Sequence, residues 1–302
     1  MTRHAASFFA GAGLLLTAGI WGFGFVVVKD SLDYVGPLYM VAFRFSIAAV
    51  ALTALLWQSL KETVRRDIFD GALLGIFLCA AFVFQTIGCK YTTAGKNAFL
   101  TTIYVLLVPL FAWGLYRRRP PRYVFIAAFL SVVGIGLLAL TPGADSLLTV
   151  QGGDVLTLIC GVFYALHIIY MEKCNRENRN PILLTVLQFL FVALFSWVLA
   201  PVIDGAIPLH AIVQPRVVAS MLYLGIFSTL VCFLLQNIGL KYVSSSFASL
   251  LLSCESVFGV LFSVILLHEA VTLRMACGCV LIFCAVILTQ TKFDFRFKRK
   301  AL

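Results

Sequence analysis

A chain of 302 residues in which 62% are hydrophobic and 12% charged lies far from the roughly 45–50% and about 25% of soluble domains. This composition excludes a water-soluble enzyme and implies an all-α integral membrane protein. Backbone in lipid must satisfy its own hydrogen bonds, and the apolar runs are too long and unalternating for barrel strands. The net charge of +10 reads as topogenic, with basic residues flanking apolar runs and meeting anionic lipid headgroups rather than nucleic acid.

In chain order, the apolar pattern predicts ten transmembrane helices near 8–28, 36–57, 68–88, 94–115, 122–141, 153–171, 181–200, 217–239, 246–267 and 272–290. The first run is longer than a signal-peptide core and no small-residue cleavage pattern follows it. Helix breakers separate the later runs: Gly36-Pro37, Pro120-Pro121, Thr141-Pro142-Gly143, Gly152-Gly153, Asn180-Pro181 and Gln214-Pro215. With the N-terminus inside, seventeen of the 23 lysines and arginines fall on the cytoplasmic side, including Arg65, Arg66, the Arg117-Arg118-Arg119 run and the tail from Lys292 to Lys300. The positive-inside rule therefore predicts both termini in the cytoplasm, N-in and C-in. The nine cysteines are scattered, mostly within spans, and predict no disulfide, metal site or cofactor.

The segment Gln85-Thr-Ile-Gly88-Cys-Lys90-Tyr91 returns 151 positions later as Gln236-Asn-Ile-Gly239-Leu-Lys241-Tyr242. Since 151 is half the chain and each half carries an odd number of spans, the second half enters the bilayer upside down. The expected units are a five-helix repeat over 8–141, an inverted five-helix repeat over 153–290, and a basic cytoplasmic tail over 291–302. Gly19-Ile-Trp21 matches Gly161-Val-Phe163 at an offset of 142; Phe43-Arg44-Phe45 in the second span likewise faces Leu187-Gln188-Phe189 in the seventh.

Polar and aromatic residues inside the spans supply the candidate site. Trp21, Phe25 and Lys29 share a face of the first span, with Phe163 and His167 as counterparts in the sixth. They form either a pseudo-symmetric pocket wall or ordinary packing, and Lys29, at the outer end, is expected to snorkel to headgroups. Arg44 and Glu255 are charges well inside apolar spans. Each costs about 2.5–3.5 kcal/mol on insertion scales, so both are expected to face the interior, as separate functional groups or as an ion pair. Gln85 and Gln236 head the repeated motif and serve either as gating ends or as solute contacts. On the fourth span Asn97, Thr101 and Tyr104 stack at helical spacing, with Pro109 a hinge candidate. On the ninth, Ser253 and Ser256 share a small-residue sector with Glu255, lining a cavity or allowing close packing. Gly71 and Gly75 carry a close-packing spacing, read as intramolecular. The scarce titratable groups form no adjacent catalytic set, and no Gly-x-x-x-x-Gly-Lys-[Ser/Thr] loop occurs. A secondary transporter is therefore expected rather than an enzyme or an ATP-driven pump.

Trp21-Gly22 followed by Phe25 and Lys29, then Pro37, Ala42-Phe43-Arg44-Phe45, Lys90-Tyr91-Thr92 and Phe99 through Pro109, resemble the EamA family of the drug/metabolite transporter superfamily. So do Gly153-Asp154, Lys241-Tyr242, Leu252 through Phe258 and His268-Glu269-Ala-Val-Thr272. The chain departs from the family pattern at Ser256, where a proline usually follows the ninth-span glutamate, and at His268, where a Gly-Glu pair is usual. The resemblance implies two inverted bundles around a central cavity. It also implies outward movement of small metabolites, often amino acids, across the cell inner membrane. From the residues themselves, Glu255 is the candidate for a proton-linked role and Arg44 for holding a solute carboxylate; the alternatives are a proton-independent uniporter or exchanger, and a non-transport membrane protein.

Overall fold

In the computed structural model of the chain, residues 3–61, 63–92, 94–117, 119–139, 152–207, 209–267 and 273–298 are described. The Thr141-Pro142-Gly143 break, Arg118, the segment from His268 to Thr272 and the last four residues of the tail lie outside them. Among the described residues every regular element is a helix: α1 (Arg3–Ser31), α2 (Pro37–Leu60), α3 (Arg65–Tyr91), α4 (Ala94–Thr101), α5 (Tyr104–Tyr116), α6 (Arg122–Ala139), α7 (Gly152–Arg176), α8 (Pro181–Ile203), the single turn α9 (Leu209–Ile212), α10 (Pro215–Leu222), a π-helix (Tyr223–Val231), α11 (Cys232–Gly239), α12 (Ser245–Leu252), α13 (Glu255–Leu267) and α14 (Leu273–Lys298). Six stretches are long and apolar enough to cross a membrane, the last being the continuous run Pro215–Gly239, and shorter apolar helices fill out the fourth, fifth and tenth spans. Helices start where the sequence breaks them: Pro37, Pro181 and Pro215 each open a helix, and the Asn180 side chain accepts the N–H groups of Ile182 and Leu183. The tenth helix does not stop near 290 but runs on to Lys298.

Contacts at the helix ends give the inversion directly. The end of the bundle that holds the start of α1 is here the near face, the opposite end the far face. Lys29, late in α1, reaches the C-terminal carbonyls of α3, and Gly153, at the start of α7, packs on Gly88 and Tyr91 of α3. The C-terminus of α1 and the N-terminus of α7 thus share the far face, so α7 runs opposite to α1. Likewise the Asp204 carboxylate at the end of α8 accepts the N–H groups of Leu38 (2.7 Å) and Tyr39 (3.1 Å) at the start of α2. It satisfies donors that a helix N-terminus leaves free.

Exchanging the halves maps one set of packed helices onto the other. The α3–α7 pair corresponds to α11 with α1; α2–α8 and α6–α14 are self-related. Gly71 and Gly75 of α3 press against Leu187 and Phe191 of α8, so that spacing serves packing within the chain. Ion pairs staple corresponding corners at opposite faces: Arg66 to Glu177 and Arg179 to Asp67 and Asp70 near, Arg216 to Asp30 far.

The fourth and ninth spans, expected as single helices, are each broken. The breaks fall at Thr102-Ile103 and Ser253-Cys254, 151 residues apart. Their tightened bonds repeat as well. Ile103 N–H to Leu100 O and Val105 N–H to Thr102 O correspond to Cys254 N–H to Leu251 O and Ser256 N–H to Ser253 O. Neither break holds a proline. Pro109 sits buried inside α5, beyond the break, rather than at it. What holds the breaks in place is packing on the long axial helices. Gly22 of α1 lies against the Glu255 carbonyl and Gly161 of α7 against that of Thr101, approaches that a side chain would block.

Candidate functional site

A cavity of about 50 Å³, counted as room open to the centres of water molecules, lies between the halves. At about 10–15 Å³ per water on that measure, it holds a handful of waters. Ten of its sixteen lining residues come in pairs, one from each half: Gln85 with Gln236, Thr101 with Leu252 and Tyr104 with Glu255, all 151 apart, and Trp21 with Tyr164 and Phe25 with Ile168, both 143 apart. The last two pairs correct the register expected for the first and sixth spans. Trp21 packs on Phe233 (centroids 5.4 Å) and Tyr164 on Phe82 (5.6 Å), and Phe82 and Phe233 are themselves 151 apart. The equivalence is therefore 143, not 142. One residue of slip turns a helix by about 100°, and Phe163, expected to match Trp21, instead stacks on Phe84, outside the lining.

The breaks bring Tyr104 and Glu255 to the internal two-fold axis, each just past the break of its helix. Both are almost fully buried, and their polar ends are close enough to interact. Neither the Tyr104 hydroxyl nor Glu255 Oε1 completes a hydrogen bond of ordinary geometry. Glu255 is the one carboxylate among the lining residues.

Arg44 lines the cavity but makes no ion pair with Glu255 or with any other carboxylate among the described residues. Instead Nε donates to Thr229 Oγ1 (2.8 Å) and one Nη to Ser228 Oγ (3.0 Å), while the guanidinium rests 4.6 Å over the Phe82 ring. Hydrogen bonds to a charged group contribute about 1.5–3 kcal/mol each and a desolvated cation–π contact about 2, enough to offset the cost of burial. The π-helix makes this possible. Its wider turn lets Thr229 Oγ1 also reach back to Leu224 O and leaves the Ser228 carbonyl for the Trp21 indole (2.8 Å). The corresponding stretch of α3 is ordinary α-helix and carries Phe77 and Leu78 where this one has Ser228 and Thr229.

Gln85 accepts the Tyr164 hydroxyl (3.1 Å) and donates to Thr101 (3.3 Å); Asn97 donates to Gln85 O and Thr157 Oγ1, with its Oδ1 unpartnered. The structure thus gathers Trp21, Phe25, Arg44, Gln85, Asn97, Thr101, Tyr104, Gln236 and Glu255 around one space. Others lie outside it. His167 and Gln188 bond each other (2.8 Å) between α7 and α8, both fully buried. Ser253 turns its hydroxyl back to Leu250 O at the break, and Ser256 is buried beyond it. Lys29 does not snorkel: Nζ donates to Cys89 O (2.8 Å) and Thr92 O (2.9 Å), capping α3.

Sequence reasoning missed Tyr164, Phe82 and Ser228. The 151-residue spacing of Phe82 and Phe233 was available as a signal for the first two; Ser228 had none, because its reach depends on the π-helix.

The sequence pattern of the EamA-like transporter family matches residues 9–140 and again 151–291. A protein of Archaeoglobus fulgidus described as an uncharacterized transporter is 32% identical over 286 residues, 94% of this chain and 86% of its own length. The uncharacterized transporter YcxC of Bacillus subtilis is 23% identical over 299 residues, 95% of each chain. A crystal structure of a protein 18% identical superposes with a TM-score of 0.76, covering 95% of this chain and 97% of the other, a likeness in fold.

Proposed function

Because the chain belongs to the EamA-like transporter family, a multi-pass membrane transporter rather than an enzyme, we propose that it exports small metabolites of amino-acid type. It moves them across the cell inner membrane by alternating access, with both termini cytoplasmic. The observation that carries this reading is the paired wall: a site built from equivalent residues of two inverted halves is the geometry that rocking of one half against the other exposes to each side in turn. The near face then faces the cytoplasm, in keeping with Arg65, Arg66, Arg176 and Arg179 at that end.

Within the cavity Arg44 holds a solute carboxylate, since its second Nη has no hydrogen-bond partner among the described residues. Trp21, Phe25 and Tyr164 cover the solute's apolar part, and Gln85, Gln236 and Asn97 Oδ1 take its amino and hydroxyl groups. Glu255 exchanges a proton with one side and then the other, so that the proton gradient drives the cycle. The test is the metabolite content of the medium from cells producing wild type, Glu255→Gln and Arg44→Gln at equal membrane abundance. Enrichment of particular amino-acid-like solutes with wild type alone is the expected result. Export that persists when the proton gradient is collapsed assigns uniport or exchange instead, and no enrichment with any of the three overturns the export reading.

A further inference from the structure

The cavity departs from its own two-fold symmetry in a directed way. Besides the five pairs, and Phe82 with its partner Phe233 touching at the axis (5.8 Å), five lining residues lack a lining counterpart: Gly24, Val28, Arg44, Asn97 and Ser228. Val28 and Asn97 lie within about two helical turns of the far face. The space therefore extends from the axis toward that face. Applying the offsets that relate the pairs, with 144 for α2 and α8 where Phe45 meets Phe189, gives the counterparts His167, Met171, Gln188, Ala248 and Phe77.

The first four of these are fully buried. They include two polar side chains that remain half satisfied: His167 Nε2 pairs with Gln188 Oε1, leaving His167 Nδ1 and Gln188 Nε2 without partners. The pattern continues toward the near face. Asn237 donates to Thr185 and Asn175 donates to the Asn237 carbonyl, with Oδ1 of both asparagines unpartnered. Buried polar groups are nearly always satisfied, so a file of such atoms in one seam marks a place that meets water or solute in another state.

We propose that the seam between α7, α8 and α11, running past His167, Gln188, Met171 and Asn175, is the near-face branch of the solute path. It is closed in this structure by the His167–Gln188 hydrogen bond and opens as the far branch at Gly24 and Val28 closes. This rests on the alternating-access reading and adds to it which residues the solute meets on the near side. Where the far branch presents the Arg44 guanidinium, the near branch presents the neutral Gln188 amide. Phe77 fits this difference, since an uncharged amide needs no hydroxyl of the kind Ser228 gives Arg44.

The test is hydroxyl-radical footprinting of the full chain in lipid nanodiscs, read by mass spectrometry at two native reporters, Met171 for the near branch and Phe25 for the far branch. In Gln188→Ala and in His167→Ala, loss of the bond is expected to raise labelling at Met171 about fivefold, as for a neutral hydrogen bond, and to lower it at Phe25. A structural role alone would loosen Met171 and leave Phe25 unchanged. That result overturns the proposal, as does an unlabelled Met171 in both variants when their elution on gel filtration matches wild type. Solute efflux from vesicles is measured separately. Its absence in wild type with the reciprocal footprint intact removes the transport reading and leaves the branch in place.

Discussion

Replacing Gly22 by alanine places a single methyl group against the break in the ninth span. A Cβ there would stand 2.7 Å from the Glu255 carbonyl oxygen, 2.8 Å from the Gly259 nitrogen and 2.9 Å from the Phe258 Cβ. Two of these are backbone atoms, which do not swing aside, so α13 must retreat by several tenths of an ångström. Overpacking of this kind costs about 1–3 kcal/mol, while alanine regains up to about 1 kcal/mol of helix propensity. The net loss is about 1–2 kcal/mol, which lowers the melting temperature by roughly 2–6 °C. Gly114, in α5, is the control, because nothing lies within 4 Å of its added Cβ. There the propensity gain stands alone, and Gly114→Ala is expected to melt about 2 °C higher. Both are read by thermal unfolding of purified protein in detergent, alongside efflux from vesicles, since the retreat of α13 shifts Glu255 within the cavity wall. If Gly22→Ala melts with Gly114→Ala and exports at the wild-type rate, the close approach of α1 to the break has no role in stability or transport.

Arg44→Lys is expected to lower efflux about tenfold or more without loss of membrane abundance. An ammonium cannot reach Thr229 and Ser228 in the geometry of a planar guanidinium while lying over Phe82; wild-type efflux in the variant would contradict the assigned role. Asp204→Ala removes both hydrogen bonds to the start of α2 and should destabilise by about 1–2 kcal/mol, with Asp204→Asn nearer wild type because it keeps an acceptor. Equal melting of the two variants would show that charge rather than capping matters there. Lys29→Met strips the cap from α3. It should raise backbone hydrogen exchange around Cys89 and Thr92 severalfold, whereas a headgroup-facing lysine would leave exchange unchanged.

The repeat could be read because Gln85–Tyr91 and Gln236–Tyr242 keep five identities at one spacing, and six of the spans because apolar helix length suffices to mark them. The register of α1 against α7 could not, since an aromatic answers Trp21 at either offset (Phe163 at 142, Tyr164 at 143) while the glycine match of Gly19 with Gly161 favours 142, and only the rings they touch reveal 143. The breaks at Thr102 and Ser253 left no local mark. They arise where another helix presses on the chain, at Gly161 and Gly22, and no proline or glycine announces them. Arg44 was legible as an interior cation, but its hydroxyl partners lie 184 and 185 residues away on a π-helix. Lys29 was misread for a related reason: its partners are carbonyls, which every residue has and no sequence advertises.

Tyr104 and Glu255 occupy the same station in the two halves and meet at the axis between them. A pair of identical five-helix chains would have to set like against like there: two carboxylates, whose mutual repulsion opposes ionising both, or two phenols, with no acid at the centre. Copies free to diverge can put one acid opposite one phenol, and joining them in one chain ensures that unlike halves always meet. Divergence within the duplicated chain is thus what allows an odd number of charges to sit on an even-fold axis.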